Sequence, residues 1–157
     1  MGRRIAKISG TPGKTRAFNV FLIPGLALAP LYFLDLPGYG YARAGRAQRA
    51  SFRRLVHHAL RRDLLAGVVW LLDIRHPPSA DDWTMQDLLA ERETRVLAAL
   101  TKGDKLTTAQ RMERGRDLRT VLDLPDDQIL VTSAKTGEGI PELREAIAGL
   151  IQNVGDR

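Results

Sequence analysis

The fold is decided by one short stretch, Gly67-Val68-Val69-Trp70-Leu71-Leu72-Asp73, which is almost wholly apolar and ends in a carboxylate. Two further apolar runs have the same character, Leu31–Asp35 and Val96–Thr101, and a shorter run follows at Gln128–Thr132. Continuous rather than alternating hydrophobicity is typical of parallel strands whose two faces are both covered by helices. The pattern therefore predicts buried strands of a parallel sheet at these places.

Helical patterns fall between the predicted strands. One helix has a basic face and an apolar face, the latter formed by Phe52, Leu55, Val56, Ala59 and Leu60. Capping boxes at Ser79 and Thr107 predict helices that end near Ala90 and Leu122, and Pro141 opens a last helix. Strands that alternate with helices predict a doubly wound α/β fold. We expect one domain over residues 1–152 and a frayed end at 153–157.

The composition is that of an ordinary soluble domain. The chain has 157 residues, 44% of them hydrophobic and 27% charged. It has no cysteine, which excludes disulfides and cysteine-based metal sites and suits a reducing cytoplasm. The longest apolar run, Leu64–Leu72, is too short for a membrane span. We therefore expect a cytoplasmic protein with no membrane partner.

The formal net charge of +6 favours an anionic partner, and we expect RNA rather than DNA or a membrane. The candidate contacts lie on the basic face of the first predicted helix, at Arg53, Arg54, His57 and Arg61. An arginine-rich composition that uses these side chains only as solvated cations is an equally good explanation of the charge.

The segment Ser9–Thr15 ends in Gly-Lys-Thr and looks at first like a phosphate-binding loop. Such a loop follows the pattern G-x-x-x-x-G-K-[ST], and its first glycine would fall at position 8, which is Ile8. The loop must also open a helix, whereas the residues that follow, Arg16–Ile23, are strand-like. The segment is therefore not a phosphate loop.

Three polar motifs follow predicted strands, at Asp35–Gly38, Thr101–Asp104 and Thr132–Lys135. The carboxyl ends of the strands carry the binding loops in folds of this class. In the first motif, Asp35 can hold a water of Mg²⁺ while the Gly38 N–H meets a γ-phosphate. Each motif alone is weak, since D-L-P-G is also a good turn. Their order and spacing together point to one nucleotide site.

The other two motifs suit a guanine base. The Asp104 carboxylate can accept hydrogen bonds from the ring N–H and the exocyclic amino group of guanine, a pair of donors that adenine lacks. This argues against an ATP-using enzyme. The stem of Lys102 can lie along the purine face, and a backbone N–H near Ala134 can meet the guanine carbonyl.

These motifs resemble those of the EngB (YihA) family of bacterial GTPases. The family pattern S-x-T-P-G-[KR]-T appears at Ser9–Thr15, and D-L-P-G-Y-G-Y-A appears unchanged at Asp35–Ala42. Its usual D-I-R-H-P-P and T-K-G-D-K stand at Asp73–Pro78 and Thr101–Lys105. The resemblance covers essentially the whole chain, and it implies a P-loop GTPase (G-domain) three-layer fold.

The resemblance also implies a function. The family is expected to bind GTP and GDP with Mg²⁺ and to act on the ribosomal large subunit or its rRNA, and so to be needed for growth, division and septation. Thr15 is the implied Mg²⁺ ligand and Asp35 holds the ion through water. The implied GTP-binding residues are Gly13, Lys14, Thr15, Arg16, Ala17, Asp35, Leu36, Pro37, Gly38, Thr101, Lys102, Gly103, Asp104, Thr132, Ser133 and Ala134.

Hydrolysis by such a protein is expected to be slow. Tyr39 follows Gly38 where many small GTPases carry a glutamine that orients water, and a phenol is a poor substitute. We assign no catalytic residue.

Members of the family begin with a strand, a G-x-x-x-x-G-K-S loop and a helix, and Met1–Arg4 matches the end of that helix. We therefore expect an amino-terminally incomplete G domain, with a gap in the sheet between Leu31–Asp35 and Gly67–Asp73. The alternative hypothesis is an RNA- or ribosome-binding relic that no longer binds or hydrolyses nucleotide.

Overall fold

The structure, a computed structural model, describes residues 19–23, 31–38 and 46–152. The described part contains five strands and four helices in an order that mixes the two types. In chain order they are β1 (Asn19–Ile23), β2 (Leu31–Asp35), α1 (Arg46–Leu60), β3 (Val68–Asp73), α2 (Ala80–Ala90), β4 (Val96–Thr101), α3 (Thr108–Leu122), β5 (Ile129–Val131) and α4 (Ile140–Gln152). Two short 3-10 turns stand at Gly103–Lys105 and Asp126–Gln128.

The described strands form two separate sheets. Strands β3, β4 and β5 are parallel in that order, with Asp73 opposite Thr101 and Leu100 opposite Val131. Strands β1 and β2 form an antiparallel pair in which Asn19 lies opposite Asp35. No ladder joins β2 to β3 among the described residues.

The hydrophobic core lies around β4. Leu97, Ala98, Ala99 and Leu100 are all buried, so the central strand is covered on both faces, as a continuous apolar run predicts. Core side chains also come from α1, α2 and α3, and the half-buried Leu36 after β2 packs against them. The Gln86 amide of α2 donates to the Leu122 carbonyl of α3 at 2.8 Å, which ties these two helices together.

The predicted helix starts are confirmed. Ser79 and Asp82 form a reciprocal capping box at the start of α2, and Thr107 and Gln110 form another at the start of α3. Each box satisfies two backbone N–H groups that have no partner inside the helix. Pro141 lies in the first turn of α4, as predicted.

The prediction that all three long apolar runs are buried strands is wrong for β2 and for part of β3. Tyr32 is 59% exposed, Phe33 is also exposed, and Leu71 of β3 is 63% exposed. In the described part β2 belongs to a two-stranded antiparallel pair and β3 is the outer strand of its sheet, so neither is enclosed as β4 is. Strand β3 begins at Val68 rather than at the predicted Gly67, and β5 begins at Ile129 rather than at the predicted Gln128.

The helix α1 has the two faces that its pattern predicts. Val56 and Ala59 are buried, while Arg53 and Arg54 are exposed, as is Arg61 directly after the helix. Within the described ranges, no helix combines the length and the apolar character needed to cross a membrane. The predicted frayed end at 153–157 lies outside the described residues.

Candidate functional site

The carboxyl ends of β3, β4 and β5 meet at one edge of the parallel sheet, and the loops after them form the candidate site. Asp73 ends β3, Thr101 ends β4, and Thr132 directly follows β5. Ligands of open α/β sheets bind outside this edge. The strand register therefore brings together two predicted groups that are far apart in sequence, residues 101–104 and 132–134.

The chain leaves β4 through a tight turn at Lys102 and Gly103. The Gly103 N–H donates to the Thr132 carbonyl at 3.0 Å, and a Cβ at position 103 would lie only 3.0 Å from a methyl of Val131. Lys102 has a φ of 63°, in the left-handed region that a residue with a side chain rarely adopts. The turn thus holds the two motifs against each other and leaves little room for a side chain at position 103.

Asp104 points toward the loop after β5. Its Oδ1 accepts a hydrogen bond from the Ser133 hydroxyl at 2.7 Å, and Ser133 is fully buried. This hydrogen bond, helped by the positive charges of Lys105 and Lys135, holds the pKa of Asp104 below its usual range although burial acts in the opposite direction. Asp104 is therefore a carboxylate at neutral pH, with lone pairs left to accept hydrogen bonds from a ligand.

Two backbone hydrogen bonds close the loop that carries Ser133 and Ala134. The Ser133 N–H donates to the Glu138 carbonyl at 2.9 Å, and the Gly137 N–H donates to the Ser133 carbonyl at 2.8 Å. Arg111 of α3 forms an ion pair with the Glu138 side chain, which fixes the far side of the loop to the helix. The exposed Ala134 thus directly follows Ser133, which is hydrogen-bonded both to Asp104 and within its own loop.

Asp73, at the end of β3, binds the positively charged side chains of Arg75 and Lys102. Its carboxylate accepts from Nε and Nη2 of Arg75 at 2.9 and 2.7 Å, and from Nζ of Lys102 at 2.8 Å. The hydrogen bonds from Arg75 first, and those from Lys102 with them, hold the pKa of Asp73 far below its ordinary value against the effect of burial. The loop after β3 therefore touches the predicted purine-contacting lysine directly.

Sequence reasoning missed four residues of this neighbourhood. Asp73 and Arg75 both stood in the motif D-I-R-H-P-P at a predicted strand end, which was the available signal for them, whereas the contact of Arg111 with Glu138 depends on which elements become neighbours. The four residues are Asp73, Arg75, Arg111 and Glu138.

The motif after β2 is placed at the end of the other sheet. Asp35 is exposed and accepts a hydrogen bond from the Asn19 amide at 3.2 Å. Leu36 and Pro37 are half-buried, and Gly38 is exposed. No hydrogen bond or ion pair joins this motif to Lys102–Asp104 within the described ranges. Hydrogen bonds therefore link two of the three predicted motifs, those at Thr101–Asp104 and Thr132–Lys135.

The remaining predicted phosphate contacts lie outside the described residues, and so does Tyr39. They are Gly13, Lys14, Thr15, Arg16 and Ala17. Mg²⁺ prefers oxygen ligands and is usually held by one or two carboxylates together with the phosphates of its nucleotide. The exposed carboxylate of Asp35 suits that use, whereas no cluster of three or more metal-binding side chains exists in the described part.

The predicted RNA contacts lie along one face of α1. Arg54, His57 and Arg61 line a shallow groove of about 620 Å³, together with His58 and Arg62. Arg53 is exposed beside it. The helix α1 itself contains no acidic residue.

Comparisons with known proteins give a consistent result. The chain is 43% identical over 150 residues to a probable GTP-binding protein EngB of Syntrophomonas wolfei, covering 95% of this chain and 75% of the relative. A protein of the same name from Pelotomaculum thermopropionicum is 41% identical, and the match covers 92% of this chain and 72% of the relative. One from Gemmatimonas aurantiaca is 40% identical, and the match covers 95% of this chain and 72% of the relative. No protein-family model matches the chain.

Solved structures agree on the fold. The elongation factor SelB of Methanococcus maripaludis, crystallised with the GTP analogue GppNHp, superposes with a TM-score of 0.69 over 88% of this chain and 29% of its own, at 20% identity. A probable GTP-binding protein EngB superposes with a TM-score of 0.62 over 78% of this chain and 77% of its own, also at 20% identity. The α/β fold is therefore that of a P-loop GTPase G domain, as the sequence predicted.

Proposed function

We propose, from the premise that this chain belongs to the EngB family of GTP-binding proteins, that it binds GTP and GDP as a slow GTPase switch in large ribosomal subunit assembly. Through that role it would be needed for normal growth, division and septation in the bacterial cytoplasm. The observation that carries the proposal is the Asp104 carboxylate, held by the buried Ser133 at the ligand-binding edge of the parallel sheet.

Guanine recognition follows from the chemistry of Asp104. The carboxylate only accepts hydrogen bonds, and guanine offers it two adjacent donors, the ring N–H and the exocyclic amino group. Adenine offers no such pair and would leave the carboxylate lone pairs unmatched. The exposed Ala134 on the neighbouring loop would offer its N–H to the guanine carbonyl.

The phosphates and Mg²⁺ would be held by the other motifs. Thr15 and Asp35 would hold the ion, Asp35 through a water molecule, and Gly13–Ala17 and Asp35–Gly38 would contact the phosphates. A bound Mg²⁺ held there would supply positive charge against the charge that develops on the phosphates. A loop ordered by the γ-phosphate and released after hydrolysis would give the protein its two states.

The ribosomal contact is proposed for the basic face of α1. Arg53, Arg54 and Arg61 are exposed and present a single sign of charge that suits RNA phosphates, and His57 lies among them. The alternative of a relic that no longer binds nucleotide is not favoured, because the relatives that the chain matches are named GTP-binding proteins.

The test is a titration of the full chain with GDP and ADP, followed by backbone amide shifts in the NMR spectrum, which report weak as well as tight binding. We expect GDP to shift Lys102–Asp104 and Ser133–Ala134 at a concentration at least about tenfold below that at which ADP does. Equal responses to GDP and ADP would contradict the proposal.

The substitution Asp104→Asn sharpens this test. An amide both donates and accepts, so it suits xanthine, which has a carbonyl where guanine has an amino group. We expect the variant to prefer xanthosine diphosphate to GDP. Asp87→Asn makes the same chemical change at a carboxylate of α2 and is the matched control, which should keep the preference for GDP.

A further inference from the structure

Asp73 and Lys102 meet because of the register of the parallel sheet. Asp73 is the last residue of β3 and lies opposite Thr101, the last residue of β4. Lys102 is the next residue along the chain, and its left-handed backbone, with a φ of 63°, turns it away from the strand direction. Its Nζ lies 2.8 Å from Asp73 Oδ2, so the lysine reaches back across the end of β3.

The carboxylate that receives Lys102 is itself fixed. Arg75 binds both oxygens of Asp73 with two side-chain N–H groups, at 2.9 and 2.7 Å, and its backbone N–H adds a third hydrogen bond at 3.1 Å. The Arg75 carbonyl accepts from Arg114 of α3 at 3.4 Å, which anchors the turn to that helix. Asp73 is therefore a preorganised acceptor and not a freely rotating side chain.

The side chain of Lys102 remains accessible to a ligand although its ammonium group is held by Asp73. The Lys102 side chain is 53% exposed, whereas that of Asp73 is 23% exposed. A free lysine samples many rotamers around its four rotatable side-chain bonds, and tying its ammonium group removes most of this freedom before a ligand arrives. The exposed stem then belongs to a side chain of restricted freedom, two residues before Asp104 in the chain.

We propose that Asp73 is a positioning residue for base recognition: it holds the Lys102 ammonium so that the lysine stem forms one wall of the guanine site while Asp104 takes the edge of the base. This inference rests on the proposed function and adds to it a residue that touches the lysine and not the nucleotide. Arg75 supports the same arrangement by fixing the Asp73 carboxylate, and Lys102 would keep its partner when Arg75 is removed.

The experiment compares wild type with Asp73→Asn, Asp73→Glu and Arg75→Ala. GDP affinity is measured by the amide shifts, and the state of Lys102 by the ¹³C signal of its dimethylated amine, assigned with Lys102→Arg. We expect Asp73→Asn to weaken GDP binding about tenfold, the scale of removing one charge-assisted hydrogen bond, and to move the Lys102 signal toward that of a free lysine. Asp73→Glu should restore part of the GDP affinity and part of the wild-type Lys102 signal. Arg75→Ala should change both measurements less than Asp73→Asn does.

A merely structural role for Asp73 predicts a different pattern. Asp73→Asn would then lower the thermal midpoint while leaving the Lys102 signal and the affinity for GDP at wild-type values, and this would overturn the inference. The inference is overturned equally if Asp73→Glu rescues neither measurement. Failure of wild type to bind any guanine nucleotide is a separate result, which overturns the proposed function and the recognition role together.

Discussion

Gly139→Ala is the substitution that most directly tests how the loop after β5 is built. Gly139 has a φ of 70°, and a Cβ at this position would lie 2.1 Å from the backbone carbonyl oxygen of Val131. Gly137, in the same loop, has a φ of 82° but no atom within 4 Å of the added Cβ. The two positions therefore share the conformational penalty of a left-handed alanine and differ in the steric clash.

The magnitudes follow from these two terms. A left-handed alanine costs about 1–2 kcal/mol, partly offset by about 0.4–1 kcal/mol because alanine restricts the unfolded chain. We therefore expect Gly137→Ala to lower the free energy of unfolding by about 1 kcal/mol. At Gly139 the backbone must move to relieve the clash, which adds about 1–3 kcal/mol. The total of about 2–4 kcal/mol should lower Tm by about 4–16 °C, at about 2–4 °C per kcal/mol.

The assay is urea unfolding of wild type and both variants, with the thermal midpoint as a second measurement. The loop also holds Ser133, whose N–H donates to the Glu138 carbonyl, so Gly139→Ala should in addition shift the Ser133 and Asp104 amides. Equal destabilisation by the two substitutions would refute the reasoning, because the clash would then contribute nothing. A larger effect at Gly137 would refute it as well.

Three further outcomes are expected. Leu100→Ala, at a fully buried position of the central strand, should lower the free energy of unfolding by about 2–5 kcal/mol, whereas Leu64→Ala at an exposed position should change it by less than about 0.5 kcal/mol; similar values would contradict the placement of the core. The folded-state pKa of Asp73 lies below its ordinary value of 3.8, so its stabilising contribution is present above that pH and is lost as the pH falls below about 4. The difference in unfolding free energy between wild type and Asp73→Asn should therefore narrow from about pH 6 to about pH 3, and an unchanged difference would count against the ion pairs. Replacing Arg53, Arg54 and Arg61 by Gln should weaken binding to a ribosomal RNA fragment and reduce the slope of log affinity against log salt by about 1 for each phosphate that is no longer neutralised, while the same change at Arg92, Arg116 and Arg144 should not.

The sequence predicted well those elements whose signals are local. A capping box spans four residues, so Ser79 and Thr107 mark helix starts without knowledge of the rest of the chain. The apolar run at Val96–Thr101 is long enough to identify a buried strand, and its predicted bounds are those of β4. The site motif at Thr101–Asp104 was found for the same reason, since its residues adjoin one another.

Features that depend on which elements become neighbours could not be predicted. Leu71 belongs to an apolar run like that of β4, but its exposure follows from the outer position of β3 among the described strands. Arg111 and Glu138 stand far apart in sequence and meet only because α3 lies beside the loop after β5. The contact of Asp73 with Lys102 likewise requires the register of β3 and β4, which no local pattern specifies.

The short segment Lys102–Asp104 is fastened to all three strands of the parallel sheet: Lys102 to the end of β3, Gly103 to the residue after β5, and Asp104 to Ser133 beyond it. Such a segment has no low-energy local opening of its own, because freeing it breaks contacts to both neighbours of β4. The Gly103 amide hydrogen, which the Thr132 carbonyl accepts, should therefore exchange with solvent only when the sheet itself opens. The groups proposed to read the base would then share one cooperative unit with the core, and the protein would lose them only on losing its fold.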